Sequence, residues 1–269
     1  MKIIDAHVHF RQGDTYFSRI AVEAGHKNSE DGLRQAFSES GVEHAIAMDS
    51  ISGEPDNLRY PDFISYCAGI GEAALNSEKL AQSVELAERH LRSDRCVGVK
   101  IYAGYTRRDL TDPVYMPFYE LARQYDKPVA VHTGTTAFPN ALLKYSHPMQ
   151  LDEIAVAFPD VTFVMCHFGN PWLIDAAAVV EKNHNVMADL SGWLVGRINA
   201  ERYLREQSGY VQQLKTWIAY VENYDKFLFG TDWPLVNIGD YVQIIKHIIP
   251  AEHHEKVFYD NARRVYHLK

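Results

Sequence analysis

The stretch KIIDAHVHF, Lys2 to Phe10, decides how this chain reads. It is an apolar, β-branched run ending in two histidines two residues apart, so as a strand it sends His7 and His9 out of one face and Val8 out of the other. Runs of the same kind recur at Glu43 to Met48, Phe63 to Gly69, Val97 to Tyr102, Pro128 to His132, Val161 to His167, Val186 to Leu190 and Phe227 to Gly230. They make eight strand candidates. Helix-patterned segments lie between most of them, clearest at Ser77 to Leu91, Val114 to Tyr125, Leu151 to Phe158, Trp172 to Lys182 and Tyr203 to Tyr220. The link after the second strand reads as a short loop, and Glu255 to Leu268 as a closing helix pair. Continuous apolar strands alternating with amphipathic helices predict a parallel sheet covered on both faces, and eight such units in 269 residues suit a (β/α)₈ TIM barrel, with an open doubly wound sheet as the alternative. No linker, repeat or low-complexity tract divides the sequence, so residues 1–269 read as one α/β domain.

Composition narrows the function classes. With 46% hydrophobic and 23% charged residues, the chain is an ordinary globular one rather than disordered or fibrous. The net charge of −8 and the scatter of its Lys and Arg residues argue against nucleic acid as a partner. Cys67, Cys96 and Cys166 sit in apolar stretches without a Cys-x-x-Cys pairing and read as buried, reduced thiols. No apolar run approaches the ~20 residues of a membrane span, and MKIIDAHVHF places polar groups where a signal peptide needs its apolar core. The expected setting is cytoplasmic, with no membrane partner.

The polar residues at the strand ends carry the chemistry. His7 and His9 end the first strand, Lys100 the fourth, His132 the fifth, His167 the sixth and Asp232 the eighth. In a (β/α)₈ barrel those ends meet at one mouth, so residues distant in sequence can surround one ion. His7, His9 and His132 with the Asp232 carboxylate form a nitrogen/oxygen set suited to Zn²⁺, while Mn²⁺, Fe²⁺ and Co²⁺ share such donors. The other nine histidines fall in loops or helix-like segments and read as surface or satisfied core residues.

The segments IIDAHVHF, GVKIYAG, VAVHTG, FVMCHFG and FGTDWP, followed by FYDNARRVYHL, appear in order over nearly the whole chain. In them the sequence resembles the amidohydrolase superfamily, within it the amidohydrolase-2 branch that includes enzymes like aminocarboxymuconate-semialdehyde decarboxylase. The resemblance implies one catalytic divalent metal held by His7, His9, His132 and Asp232, with His167 beside the water on that metal and Asp232 also moving protons. In binuclear relatives a strand-four lysine, the position that Lys100 holds here, is carbamylated and bridges two metals. In a mononuclear site it is instead an anchor for a substrate carboxylate or a partner in a structural ion pair.

Specificity is expected from the βα loops, where Arg19, Tyr102, Tyr105, Arg107, Arg108, Trp193, Arg197 and Trp233 cluster. Arginine forks and aromatic rings suit a small, planar carboxylate, and equally the rim packing or subunit contact of a homodimer. Lys100, Tyr102, Trp193 and Arg197 are the residues expected to contact substrate. Three functions fit: a metal-dependent hydrolase of a small ester, lactone or amide; a non-oxidative decarboxylase of an unsaturated or aromatic acid; and a ligand sensor that keeps the barrel without turnover.

Overall fold

The computed structural model describes all 269 residues. Its strands are β1 (Ile3–Val8), β2 (Val42–Ala47), β3 (Ile64–Ile70), β4 (Cys96–Ile101), β5 (Val129–Val131), β6 (Phe163–Met165), β7 (Val186–Asp189) and β8 (Phe227–Leu228). Each pairs in parallel with the next, in sequence order. Closure comes from hydrogen bonds between β1 and the chain around and beyond β8: Ala6 N–H to Phe229 O, Asp232 N–H to His7 O and His9 N–H to Trp233 O. The eight expected strands are all present, and the sheet is a barrel rather than an open one.

Burial on both faces explains why these strands are apolar throughout. Ile4, Ala6, Ile46, Cys67, Ala130, Val164 and Leu228 belong to an inner cluster of 14 residues, which Tyr266 joins from the C-terminal end of the chain. A larger cluster of 62 residues, including Ile3, Val8, Val99, Val131 and Phe163, lies between the strands and the outer helices. The barrel is thus filled with side chains, and only its mouth is left for chemistry.

The helices are α1 (Thr15–Glu23), α2 (Glu30–Ser40), α3 (Leu80–Leu91), α4 (Met116–Gln124), α5 (Met149–Ala157), α6 (Leu173–Lys182), α7 (Ala200–Glu206), α8 (Ser208–Tyr220), α9 (Ile238–Ile248) and α10 (Asn261–Val265). Tyr203 to Tyr220 is not one helix. The chain leaves helical geometry at Gln207, beside the weak helix formers Ser208 and Gly209, so α7 and α8 are separate. The expected closing pair is instead a π-helical turn, Lys256–Asp260, running directly into α10. After β2 there is a loop with a single 3₁₀ turn, Pro55–Asn57, as expected. Three helices not singled out in the sequence, α1, α2 and α9, start at the capping residues Asp14, Ser29 and Asn237, whose side chains accept from backbone N–H groups of the first turn. No helix is long and apolar enough to cross a membrane.

Candidate metal centre

The mouth of the barrel is shaped by local departures from regular strand geometry. In β1, Asp5 pairs with Ala45 but Val8 with Ala47, so the strand carries one extra residue between them. That bulge resets the alternation. Ile4 and Ala6 fill the interior below it, and His7 and His9 still face the mouth above it, with Val8 under the helices. After β6 and β8 the chain turns sharply: His167 has φ 64° and Asp232 φ 61°, in the left-handed region that non-glycine residues seldom occupy. Such strain costs on the order of 1–3 kcal/mol per residue and is retained where it aims a side chain. Gly192 leaves room for both, since a Cβ there would lie 2.5 Å from His167 Nδ1.

The tautomers follow from the hydrogen-bond network. His7 Nδ1–H donates to Asp189 Oδ2 at 2.9 Å and His9 Nδ1–H to Asp49 Oδ1 at 3.2 Å. Their Nε2 lone pairs therefore point inward, to 3.5 and 3.3 Å from the same atom, Asp232 Oδ1. That oxygen is buried and has no hydrogen-bond partner. Two lone pairs and a carboxylate oxygen facing one another lack a positive charge between them, which a divalent cation supplies; the donor set fits such an ion.

Beside this cluster, His167 lies between His7 and His132, its ring tilted against the first and edge-on to the second, with centroids 4.8 and 4.9 Å away. Asp189 Oδ1 accepts the His167 N–H at 2.9 Å and the Ser191 hydroxyl at 2.5 Å; the Ser191 oxygen in turn accepts His167 Nδ1–H at 2.9 Å. His132 Nε2–H donates to Thr135 O at 3.1 Å. The inner nitrogens, His167 Nε2 and His132 Nδ1, are then two lone pairs 3.1 Å apart when both rings are neutral. A cation or a shared proton relieves that contact.

Burial, with the nearby Lys100 charge, lowers His7 to about 4, and burial also pushes His132 well down and His167 down. Burial opposes the charged form of Asp232 as well, but His7, His9 and His167 together hold its carboxyl below the usual range. His9 is the exception: burial works against its cation, yet the Asp232 and Asp49 carboxylates outweigh it and raise the ring to about 9. In the ion-free protein a proton on His9 supplies the missing charge. A raised folded value against about 6.5 in the unfolded chain gives stability present below pH 6.5 and lost as pH rises to about 9. We expect the melting temperature of chelator-treated protein to fall across that window. Zinc-loaded protein, with no proton there to lose, should show no such fall; equal alkaline profiles would refute this.

Of the residues expected at the site, His7, His9, Lys100, Tyr102, His132, His167 and Asp232 line one cavity of about 300 Å³. His132 lies outside the compact group formed by His7, His9 and Asp232. Lys100 is 1% exposed; its Nζ lies 2.8 Å from Cys166 Sγ and 5.7 Å from the centre of the Tyr102 ring, and the Tyr102 hydroxyl donates to Met48 O. Arg197 and Trp193 do not line the cavity. Arg197 reaches outward to Asp240 at 2.8 Å, and Trp193 is buried behind the site with its indole N–H on His167 O at 2.9 Å. Trp233 is fully buried, Arg107 binds Asn140 O, and Arg108 faces Glu72 and Asp112. Asp49, Asp189 and Ser191 were missed in the sequence. Asp189 ends β7 and Asp49 lies two residues beyond β2, so the strand-end criterion that selected the other residues would have found both.

The family model described as Amidohydrolase matches residues 4–268. No curated protein matches the chain in sequence. Among solved structures, the fold is similar to 2,6-dihydroxybenzoate decarboxylase complexed with 2,6-dihydroxybenzoate (17% identity, TM-score 0.71, all of both chains covered). It is also similar to 5-carboxyvanillate decarboxylase from Novosphingobium aromaticivorans, complexed with manganese and a nitrobenzoic acid (13% identity, TM-score 0.67, 99% and 96% covered). An amidohydrolase from Burkholderia multivorans with bound zinc is a third (16% identity, TM-score 0.63, all of both chains covered).

Proposed function

The chain belongs to the amidohydrolase family, and from that premise we propose that this enzyme is a hydrolase using one divalent metal ion to open a small ester, lactone or amide that bears a carboxylate. The observation that carries the reading is Asp232 Oδ1, buried, without a hydrogen-bond partner, and facing the Nε2 atoms of His7 and His9. In this reading those three residues hold the ion and His132 is the fourth ligand. Zinc is the first choice: nitrogen and oxygen donors suit it, and the likeness to a zinc-bearing amidohydrolase supports it, with the manganese-bearing decarboxylase marking the runner-up.

The ion, when bound, supplies Lewis acidity toward a carbonyl and eases deprotonation of water. The side chains do the rest. Asp232 has a second oxygen to accept a proton from the attacking water. His167, its Nδ1–H committed to Ser191, presents Nε2 to receive or return a proton at the reacting centre. Lys100 and the Tyr102 ring form the wall against which an anionic substrate group is held.

Decarboxylation of an aromatic or unsaturated acid is the second reading, favoured by the aromatic lining of the cavity from Phe17, Tyr102, Tyr105 and Phe138 and by the likeness in fold to two decarboxylases. One experiment separates the two. Zinc- and manganese-loaded protein is offered lactones, esters and amides with acid release followed, and carboxylic acids with CO₂ release followed. Acid release is expected. CO₂ release alone makes the protein a decarboxylase. His167→Ala should keep its ion and lose about 100-fold or more in turnover, whereas His132→Ala should lose the ion. An ion-free His167→Ala beside an ion-loaded His132→Ala, both folded by circular dichroism, would reverse the two roles.

A further inference from the structure

Two lysines are buried in this fold, and only one of them meets oxygen. Lys226 donates to the carbonyls of Val180 and Asn183, at 2.5 and 2.8 Å, and so closes the C-terminal end of α6. Lys100 forms no ion pair and has a single hydrogen-bond partner, the Cys166 sulfur, 2.8 Å from its Nζ. Cys166 is fully buried, and its one other polar neighbour is Val164 O at 3.9 Å. Sulfur is a weak acceptor, so a buried amine held by it alone is poorly satisfied as a structural group.

The fold holds the two atoms together. Side chains from alternate strands of a (β/α)₈ barrel meet in one layer of its interior, and Lys100 on β4 meets Cys166, which directly follows β6, in this way. Both backbones are fixed: Lys100 pairs with Gly69 and Ala130 in the sheet, and the Cys166 carbonyl accepts from the Thr133 hydroxyl at 2.5 Å. Lys100 also lines the cavity at the mouth, so a molecule the size of water can reach the nitrogen, with the sulfur next to it. The other thiols lack an amine at hydrogen-bond distance. Cys96 packs toward the outer helices with Sγ on Gly98 O at 3.4 Å, and Cys67 is enclosed in the inner cluster. A cation beside sulfur favours the reactive form of a thiol, which singles out Cys166.

We propose that Lys100 and Cys166 form a redox modification site, at which a peroxide joins the amine and the sulfur through one oxygen atom as an Nζ–O–Sγ bridge. The balance closes with two molecules of hydrogen peroxide. The first oxidises the thiol to a sulfenic acid and the second the amine to a hydroxylamine, each leaving as water; the hydroxylamine oxygen then attacks the sulfenic sulfur and expels a third water. Sulfur and nitrogen each lose two electrons, and both peroxides are reduced. Two equivalents of a dithiol reverse the change, returning thiol, amine and one water. An inserted oxygen spans the 2.8 Å gap with little movement, whereas a direct S–N bond would have to draw two strands together. The bridge itself does not depend on the metal reading. Its consequence rests on the role given to Lys100 above: a bridged nitrogen no longer offers an ammonium to an anionic substrate group, so oxidation turns the site off and a thiol restores it.

Peptide mass mapping of zinc-loaded protein treated with millimolar hydrogen peroxide, digested without reductant, tests it. The segment around Lys100 should be found joined to the one carrying Cys166, with one oxygen gained and two hydrogens lost relative to the separate peptides. Dithiothreitol should separate them again. Lys100→Arg, which keeps the charge but not the amine, and Cys166→Ser should each abolish the link, while Cys67→Ser and Cys96→Ser keep it. Circular dichroism checks each fold, and Cys166→Ala, with no hydroxyl to bury, stands in for a Cys166→Ser that fails to fold. Chelated protein should form the same link, so a protein that takes up no zinc would refute the metal reading and leave this test intact. Oxidation of the exposed Met149 marks a sufficient dose. At that dose, an unmodified pair, Cys166 as sulfinic acid beside free Lys100, a Cys67–Cys166 disulfide, or a direct link with no oxygen gained overturns the proposal.

Discussion

Asp189→Asn is expected to weaken zinc binding about ten- to a hundredfold while leaving the barrel folded. Asp189 is fully buried, and both its oxygens only accept: Oδ2 from His7 Nδ1–H, and Oδ1 from His167 N–H, Ser191 N–H and the Ser191 hydroxyl. Asparagine offers one acceptor and one donor in the same volume. The three donors at Oδ1 claim the acceptor, so the NH₂ group falls opposite His7 Nδ1. Two N–H groups cannot face each other there, and His7 moves its proton to Nε2. The nitrogen that faces Asp232 then carries a hydrogen instead of a lone pair, and the site loses a metal donor without losing a side chain. Competition with a chelating dye measures the affinity, and circular dichroism checks the fold. Wild-type zinc affinity in Asp189→Asn would show that Asp189 does not set the His7 tautomer. Holding of His7 and His167 by a single carboxylate also means that activity should fall by more than the lost zinc accounts for.

The barrel was legible because its strands are buried on both faces and its turns carry ordinary punctuation. Each β-branched run from Lys2–Phe10 to Phe227–Gly230 has only one way to be apolar along its whole length, and all eight became strands. The strand-end histidines were legible for the same reason: a polar group ending an apolar run must face a mouth. The β1 bulge was not. Period-two alternation alone puts Ile4 and Ala6 on the face opposite His7, and only the pairing of Asp5 and Val8 with β2 shows the extra residue that brings them together. Loop residues were the least legible, because composition says that Arg197 and Trp193 lie near the mouth but not which way they point. Arg197 finds Asp240 on α9, a pairing across 43 residues that no local pattern announces.

The glycine beside the site gives the last test. Gly192→Ala is expected to lower turnover about 100-fold with zinc content unchanged. At φ 70° an alanine is disfavoured by on the order of 1–2 kcal/mol, which should lower the melting temperature by a few degrees. The larger effect is local. The added Cβ would stand 2.5 Å from His167 Nδ1 and 3.0 Å from its Cε1, whereas Asp232 Oδ2 is 3.2 Å away and needs only a small adjustment. His167 cannot stay: its ring must move by roughly 1 Å, breaking the Nδ1–H bond to Ser191 that fixes its tautomer, and a displacement of that size in a proton-transfer group costs about 10²-fold. His7, His9 and Asp232 keep their mutual geometry, so the ion stays. Gly209→Ala, in α8 with nothing within 4 Å of the new Cβ, serves as the matched control and should be neutral or slightly stabilising. Full activity in Gly192→Ala would remove His167 from the proton path, and loss of zinc would mean that Asp232, not His167, is the group that gives way.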